Sequence, residues 1–214
     1  MAKLKILVQG YAKQAKGAEY ACSTVTLIQD KGKNIVVDPG LDRKALLNGL
    51  KKEKLAAKDI DYVILTHVQQ TDKFVDMLSS KSRHHMHADH CLLAGIFENA
   101  VILDNGTMYS FDGRIEDHEG KVPGTDVKII ATPGHDKCHA TVLVDTDKGK
   151  VAICGDVFWW TDNEKQITTR EALLNHKDPY VKDKKALLAS RKLVLSKADY
   201  VIPGHGRMFE VLSN

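Results

Sequence analysis

Short apolar runs broken by glycine, proline and asparagine dominate this chain, and most are the length of strands rather than helices. Leu4 to Val8, Val25 to Asp30 and Ile35 to Asp38 read as strands. Lys31-Gly32-Lys33-Asn34 is the hairpin turn between the last two, and Pro39-Gly40 stops the third. Tyr11 to Tyr20 has no apolar period and is expected to be a mobile loop. At Asp42 the pattern changes. Leu46, Leu47 and Leu50 form a helical stripe running to Leu55, with Asp42 as N-cap. Tyr62-Val63-Ile64-Leu65 is a nearly unbroken apolar run, as in a strand buried on both faces, and it ends at Thr66-His67.

Phe74, Val75, Met77 and Leu78 suggest a short amphipathic helix within Val68 to His84. Beyond it, Val101 to Leu103 and Met108 to Phe111 flank the hairpin signal Asp104-Asn105-Gly106. Gly113 to Gly124 reads as polar loop. Val127 to Thr132, Ala140 to Val144, Val151 to Cys154 and Tyr200 to Ile202 are strands, and Lys182 to Ala198 is a helix. No repeat, low-complexity stretch or linker interrupts the pattern, so residues 1–214 are expected to form a single domain.

Composition narrows the class only a little. Apolar (43%) and charged (28%) fractions are those of a soluble globular protein. A net charge of +3 gives no argument for nucleic acid, yet leaves such a partner open. Cys22, Cys91, Cys138 and Cys154 are widely spaced without a Cys-x-x-Cys pair, which fits reduced thiols rather than a disulfide framework. The charged start is no signal peptide, and no apolar run approaches the ~20 residues of a membrane span. The expectation is a cytoplasmic protein with no membrane association; the sequence leaves its oligomeric state open.

The chemistry is concentrated in Arg83-His84-His85-Met86-His87-Ala88-Asp89-His90-Cys91. Imidazole and carboxylate are ligands for Zn²⁺, Fe²⁺ and Mn²⁺, and the His-x-His-x-Asp-His order lets one loop supply several at once. Three apolar strands also end beside glycine in a ligand-type residue: Pro133-Gly134-His135, Gly155-Asp156 and Pro203-Gly204-His205. Glycine allows the sharp turn that aims the next side chain across a sheet edge.

In these motifs and their order, from Val36-Val37-Asp38-Pro39-Gly40 to Pro203-Gly204-His205-Gly206, the chain resembles the metallo-β-lactamase superfamily. The resemblance implies an α/β fold, the four-layer αβ/βα sandwich, with two divalent metal ions between its sheets. By position it implies His85, His87 and His135 on one ion, Asp89, His90 and His205 on the other, and Asp156 bridging. Asp38 would support the site from behind. The family's ion pair, about 3.5–4 Å apart, activates hydroxide. The implied function is therefore a hydrolase that uses a metal-bridging hydroxide on an ester, thioester, lactone, amide or phosphodiester, with a small molecule as substrate. Asp89 would be catalytic, orienting that hydroxide. Histidine at position 87, where diiron relatives carry glutamate, favours zinc, with iron or manganese as alternatives. A mononuclear iron persulfide dioxygenase and a metal-dependent nuclease are the competing readings. Ser190-Arg191 and the closing motif look more like one branch of the superfamily, that of metallo-β-lactamase-domain-containing protein 1.

The family's first histidine follows its strand directly, whereas here Leu65-Thr66-His67 is separated from Met86-His87-Ala88-Asp89-His90 by an inserted segment at about 68–84. His85 keeps the two-residue spacing to His87, and His67 keeps the attachment to the strand end. Local spacing favours His85 as first ligand. Trp159 or Trp160 is a candidate pocket wall. His139 is expected to be a hydrogen-bonded strand residue, Cys91 and Cys138 small packing residues, and His118 and His176 surface residues.

Overall fold

The computed structural model describes residues 1–68 and 88–212. The amphipathic stretch at Phe74 to Leu78, most of the expected insertion, and both His85 and His87 lie outside the described residues.

Strands β1 (Lys3–Val8), β4 (Val25–Asp30), β5 (Lys33–Val37), β6 (Tyr62–Ile64), β7 (Val101–Leu103), β8 (Thr107–Tyr109) and β9 (Ile115–Asp117) make one sheet, adjacent in that order. A second contains β10 (Lys128–Ala131), β11 (Ala140–Thr146), β12 (Gly149–Ile153), β13 (Tyr200–Ile202) and β14 (Phe209–Glu210). The pairs β5–β6, β6–β7 and β12–β13 are parallel, so their chain ends emerge on the same edge.

Side-chain alternation along the strands builds the layers. Ile28, Ile35, Val37, Ile64 and Leu103 turn inward against Ile129, Val142, Val144, Ile153 and Ile202, forming the core between the sheets. Leu27, Val36 and Val63 face the other way and pack on Leu46 and Leu50 of helix α1 (Arg43–Lys52). Leu143, Ala152 and Val201 of the second sheet do the same with Leu187, Val194 and Leu195 of α4 (Lys184–Lys197). Helix, sheet, sheet, helix is the expected αβ/βα sandwich. Asp42 caps α1 through the Ala45 amide and Asp183 caps α4 through Lys185 and Ala186, each contact worth about 1 kcal/mol.

Two expected loops are partly strand. Tyr11 to Tyr20 holds β2 (Tyr11–Ala15) and most of β3 (Ala18–Cys22), a separate two-stranded ribbon. Lys16 (φ 52°) and Gly17 (φ 74°) both take positive φ, as the tightest hairpin turn requires. The ribbon is mostly exposed, so its pairing leaves no apolar alternation to read. Within Gly113 to Gly124, Ile115–Asp117 extends the first sheet as β9, fully exposed and therefore polar in composition. The helices α2 (Ala88–Cys91) and α3 (Arg170–Leu174) are single short turns.

Candidate metal centre

Both sheets deliver polar residues to one edge. Past β5, Asp38 adopts φ 47° and accepts hydrogen bonds from the Thr66 amide (2.8 Å) and Thr66 Oγ1 (2.7 Å) just after β6. Asp156 follows β12, and His205 follows β13. His135 lies in the turn after β10, and Asp89 and His90 occupy α2. The turn at Gly155 and Gly204 is tight: a Cβ on Gly204 would stand 2.0 Å from Asp156 Oδ1, and one on Gly155 2.3 Å from Thr66 Oγ1. Any larger residue at either position would displace the carboxylate or the threonine that props Asp38.

Four buried imidazoles converge through the same nitrogen. Nε2 of His67 and His135 lie 3.8 and 3.5 Å from Asp156 Oδ2. Nε2 of His90 and His205 lie 3.3 and 3.9 Å from the other oxygen, Oδ1. His205 Nε2 is also 3.1 Å, and His90 Nε2 3.9 Å, from Asp89 Oδ2. The opposite nitrogens are held from behind. His90 Nδ1 meets Asp38 Oδ2 at 2.9 Å, His135 Nδ1 meets Asp178 Oδ2 at 2.7 Å, and His205 Nδ1 meets the Tyr11 carbonyl at 3.0 Å. His67 Nδ1 is 3.1 Å from Thr66 Oγ1. Anchoring Nδ1 fixes the ring and presents the Nε2 lone pair inward, the arrangement by which proteins prepare histidine for a metal.

Two groups are compact enough to hold an ion: His67, His135 and Asp156, and Asp89, His90 and His205, the ligand atoms of each lying within 4.8 Å of one another. Asp156 Oδ1 is buried and accepts no hydrogen bond among the described residues, which suits a carboxylate oxygen reserved for a cation. The donor set, imidazole nitrogen plus carboxylate, fits a borderline divalent ion.

The electrostatics agree with that geometry. Burial alone would raise the Asp156 pKa, but the His90 and His205 imidazoles outweigh it and hold the carboxyl well below its usual range. Burial disfavours charge on His90, yet the Asp156, Asp38 and Asp89 carboxylates raise its pKa well above the ordinary imidazole value. Burial also opposes charge on His135, where the hydrogen bond to Asp178 is the larger influence in raising it. Asp89 is lowered, burial being overcome by His90 and His205.

Asp89, His90, His135, Asp156 and His205 thus come together as the sequence motifs suggest, and Asp38 stands behind them. His67, ranked after His85 on spacing, is the histidine past the end of β6 that the structure brings to the cluster. His139 accepts the Asp156 amide at 3.1 Å and stacks on His67 with ring centres 4.8 Å apart, so it braces the site rather than facing it. Cys91 and Cys138 have thiols raised by burial, which favours the unreactive protonated form. His118 and His176 are half-buried rather than exposed: His118 closes a loop through Asp104 O and the Gly120 amide, and His176 contacts the Trp159 carbonyl. Asp178 had no sequence signal beyond an Asp-Pro pair in a polar stretch.

Beside the cluster is a cavity of about 280 Å³, lined by Asp89, Asp156 and His205 with Leu41, Trp159 and Tyr180 among its walls. The two tryptophans occupy different surroundings. Trp159 faces this cavity, whereas Trp160 packs in the core beside α4.

In its layered fold and two-sided histidine cluster the chain is similar to the metallo-β-lactamase superfamily, whose family model matches residues 23–68. Among named relatives it is similar to Metallo-beta-lactamase domain-containing protein 1. It is 29% identical to the Xenopus laevis protein over 98% of this chain and 82% of the relative. Identity to the Homo sapiens protein is 32% over 83% of this chain and 60% of the relative. The chain therefore spans about three fifths of the human relative. A solved structure from Thermotoga maritima, classed with the metallo-beta-lactamases, superposes with TM-score 0.66 at 19% identity, covering 98% of this chain and 99% of that one. AidC, a dizinc quorum-quenching lactonase, superposes with TM-score 0.56 at 14% identity, over 88% of this chain and 73% of that one. At such identities both share the fold.

Proposed function

We propose that the protein is a dinuclear metal hydrolase acting on a small ester, thioester, lactone or amide. The observation that carries this reading is the position of Asp156. Its Oδ2 faces His67 and His135, and its Oδ1 faces His90 and His205. A carboxylate can span two ions in this way and an imidazole cannot. His67, His135 and Asp156 would hold the first ion, and Asp89, His90 and His205, with Asp156 beside them, would hold the second. The donor set suits zinc, and a two-sided carboxylate favours two ions over the single iron of a dioxygenase.

Bound ions supply Lewis acidity, lowering the pKa of water and neutralising the oxyanion that forms at an attacked carbonyl. The chain's own residues do the rest. Asp89 Oδ2, on the cavity side of His205, accepts a hydrogen bond from the attacking water and aims it. Leu41, Trp159 and Tyr180 seat an apolar acyl portion and limit water around it. Incubating metal-loaded protein with chromogenic lactone, ester and bis-phosphodiester probes tests the reading. Chelator-sensitive turnover of the acyl compounds is expected. Turnover of the phosphodiester alone would favour the nuclease instead.

Asp178→Asn should weaken metal binding about ten- to hundredfold, the usual cost of losing a ligand's outer support. Competition against a chromophoric chelator measures it, and unchanged affinity would reduce Asp178 to a packing role.

Metal affinity should also climb with pH. His90 and His135 have raised pKa values and retain protons that an entering ion must displace. In metal-free protein those raised groups stabilise the fold fully below about pH 6.5, an effect lost as pH rises through their folded values. The lowered Asp156 and Asp89 stabilise it above about pH 4, an effect lost as pH falls through theirs. Metal-free stability should therefore peak in the mildly acidic range. Calorimetric metal titrations in buffers of different ionisation heat should show proton release, and a pH-independent affinity with none would contradict the assignment.

A further inference from the structure

A larger cleft, about 740 Å³, shares Trp159 with the cavity beside the metal cluster. Its lining includes Trp159, Lys177, Asp178, Lys184 and Arg191. Arg191, on α4, is only 4% exposed. Its Nε donates to the Val157 carbonyl at 3.1 Å and its Nη1 to the His176 carbonyl at 2.6 Å. Nη2 is buried and donates to nothing among the described residues. Two carbonyls supply no counter-charge, so a buried guanidinium here retains both an unsatisfied donor and its positive charge.

The carboxylates nearby are already engaged. Asp178 accepts from His135 Nδ1 and the Tyr180 amide, and Glu164 accepts from the Thr161 amide and hydroxyl. Lys177 and Lys184 are exposed at the same cleft. The wall thus combines one buried cation having a spare donor with two solvated cations, and its two acids are occupied elsewhere.

We propose that this cleft is a binding site for a small anion, a carboxylate or phosphate group held by Lys177 and Lys184 and attracted by the buried charge of Arg191 in the wall behind them. The site is independent of the metal ions and of the reaction proposed above. It adjoins both through Trp159, shared with the catalytic cavity, and Asp178, which holds His135.

Arg191→Met would strand the Val157 and His176 carbonyls and could unfold the region, so Lys177→Glu/Lys184→Glu is the informative variant. Titrating metal-loaded protein calorimetrically with inorganic phosphate, and separately with acetate, should give saturable binding that weakens with salt. The double variant should bind about tenfold more weakly at low ionic strength while keeping its full metal content. The stronger of the two anions identifies the chemical class. An absence of saturable binding for either anion at millimolar concentration would overturn the proposal. So would equal affinity in the double variant, which would put the anion on the metal ions.

Discussion

Asp156→Ala is expected to strip the protein of both ions and to lower hydrolysis by roughly a thousandfold or more, beyond the loss from removing one oxyanion donor. Four Nε2 atoms face this side chain, two on each oxygen, so its removal takes a ligand from both groups at once. The fold should survive. Removing one partner of a buried ion pair ordinarily costs about 3–5 kcal/mol because the other charge is left behind. Imidazoles can shed their protons instead, so metal-free Asp156→Ala should lose less than that near neutral pH. Asp156→Asn keeps the shape and removes the charge. It should resemble the alanine variant in metal content, and without metal it should unfold more easily than wild type above about pH 4, where the ionised carboxyl contributes stability, but without the added cost of a cavity. Near-normal metal content in both variants would remove Asp156 from its proposed role.

His67→Ala should empty the first group while sparing the second, leaving about one ion per chain and activity reduced by roughly a hundredfold or more. His67 is buried, held through Thr66 to Asp38, and directed at Asp156 Oδ2. Its attachment just past the end of β6, beside the hydrogen-bonded Thr66, fixes its position from the scaffold. Full metal retention in His67→Ala, with loss in His85→Ala, would move the first ligand into the segment 69–87.

The contrast between His67 and His85 shows what the sequence could and could not carry. Motif spacing is local and matches His85 to His87, whereas attachment to a strand end supports His67; the structure adds to the latter that Asp38, past β5, reaches Thr66 beside it. Asp178 was illegible for the same reason, since its partner His135 is 43 residues away in sequence. Asp156 and His205 were legible because each follows an apolar strand and a glycine. Turn chemistry gives a sharper comparison. Lys31-Gly32 was readable as a hairpin because apolar runs flank it. Lys16-Gly17, with nearly the same pair of positive φ values, was not, because the ribbon it closes is largely solvent-exposed. Periodicity reports burial, and β2, β3 and β9 are strands with little of it. The sandwich itself was expected from the resemblance of the motifs, and its two inner and two outer apolar faces account for it physically.

None of the described helices is long and apolar enough to cross a membrane. The small cavity between Leu41, Trp159 and Tyr180 is the feature on which the proposed acyl substrate class rests.

Elemental analysis combined with anomalous diffraction at the metal's absorption edge tests the central claim most directly. The prediction is two ions per chain, one between Asp156 Oδ2 and the pair His67 and His135, the other between Asp156 Oδ1 and the group Asp89, His90 and His205. A single ion per chain after full reconstitution, or two ions with Asp156 touching only one of them, would contradict it.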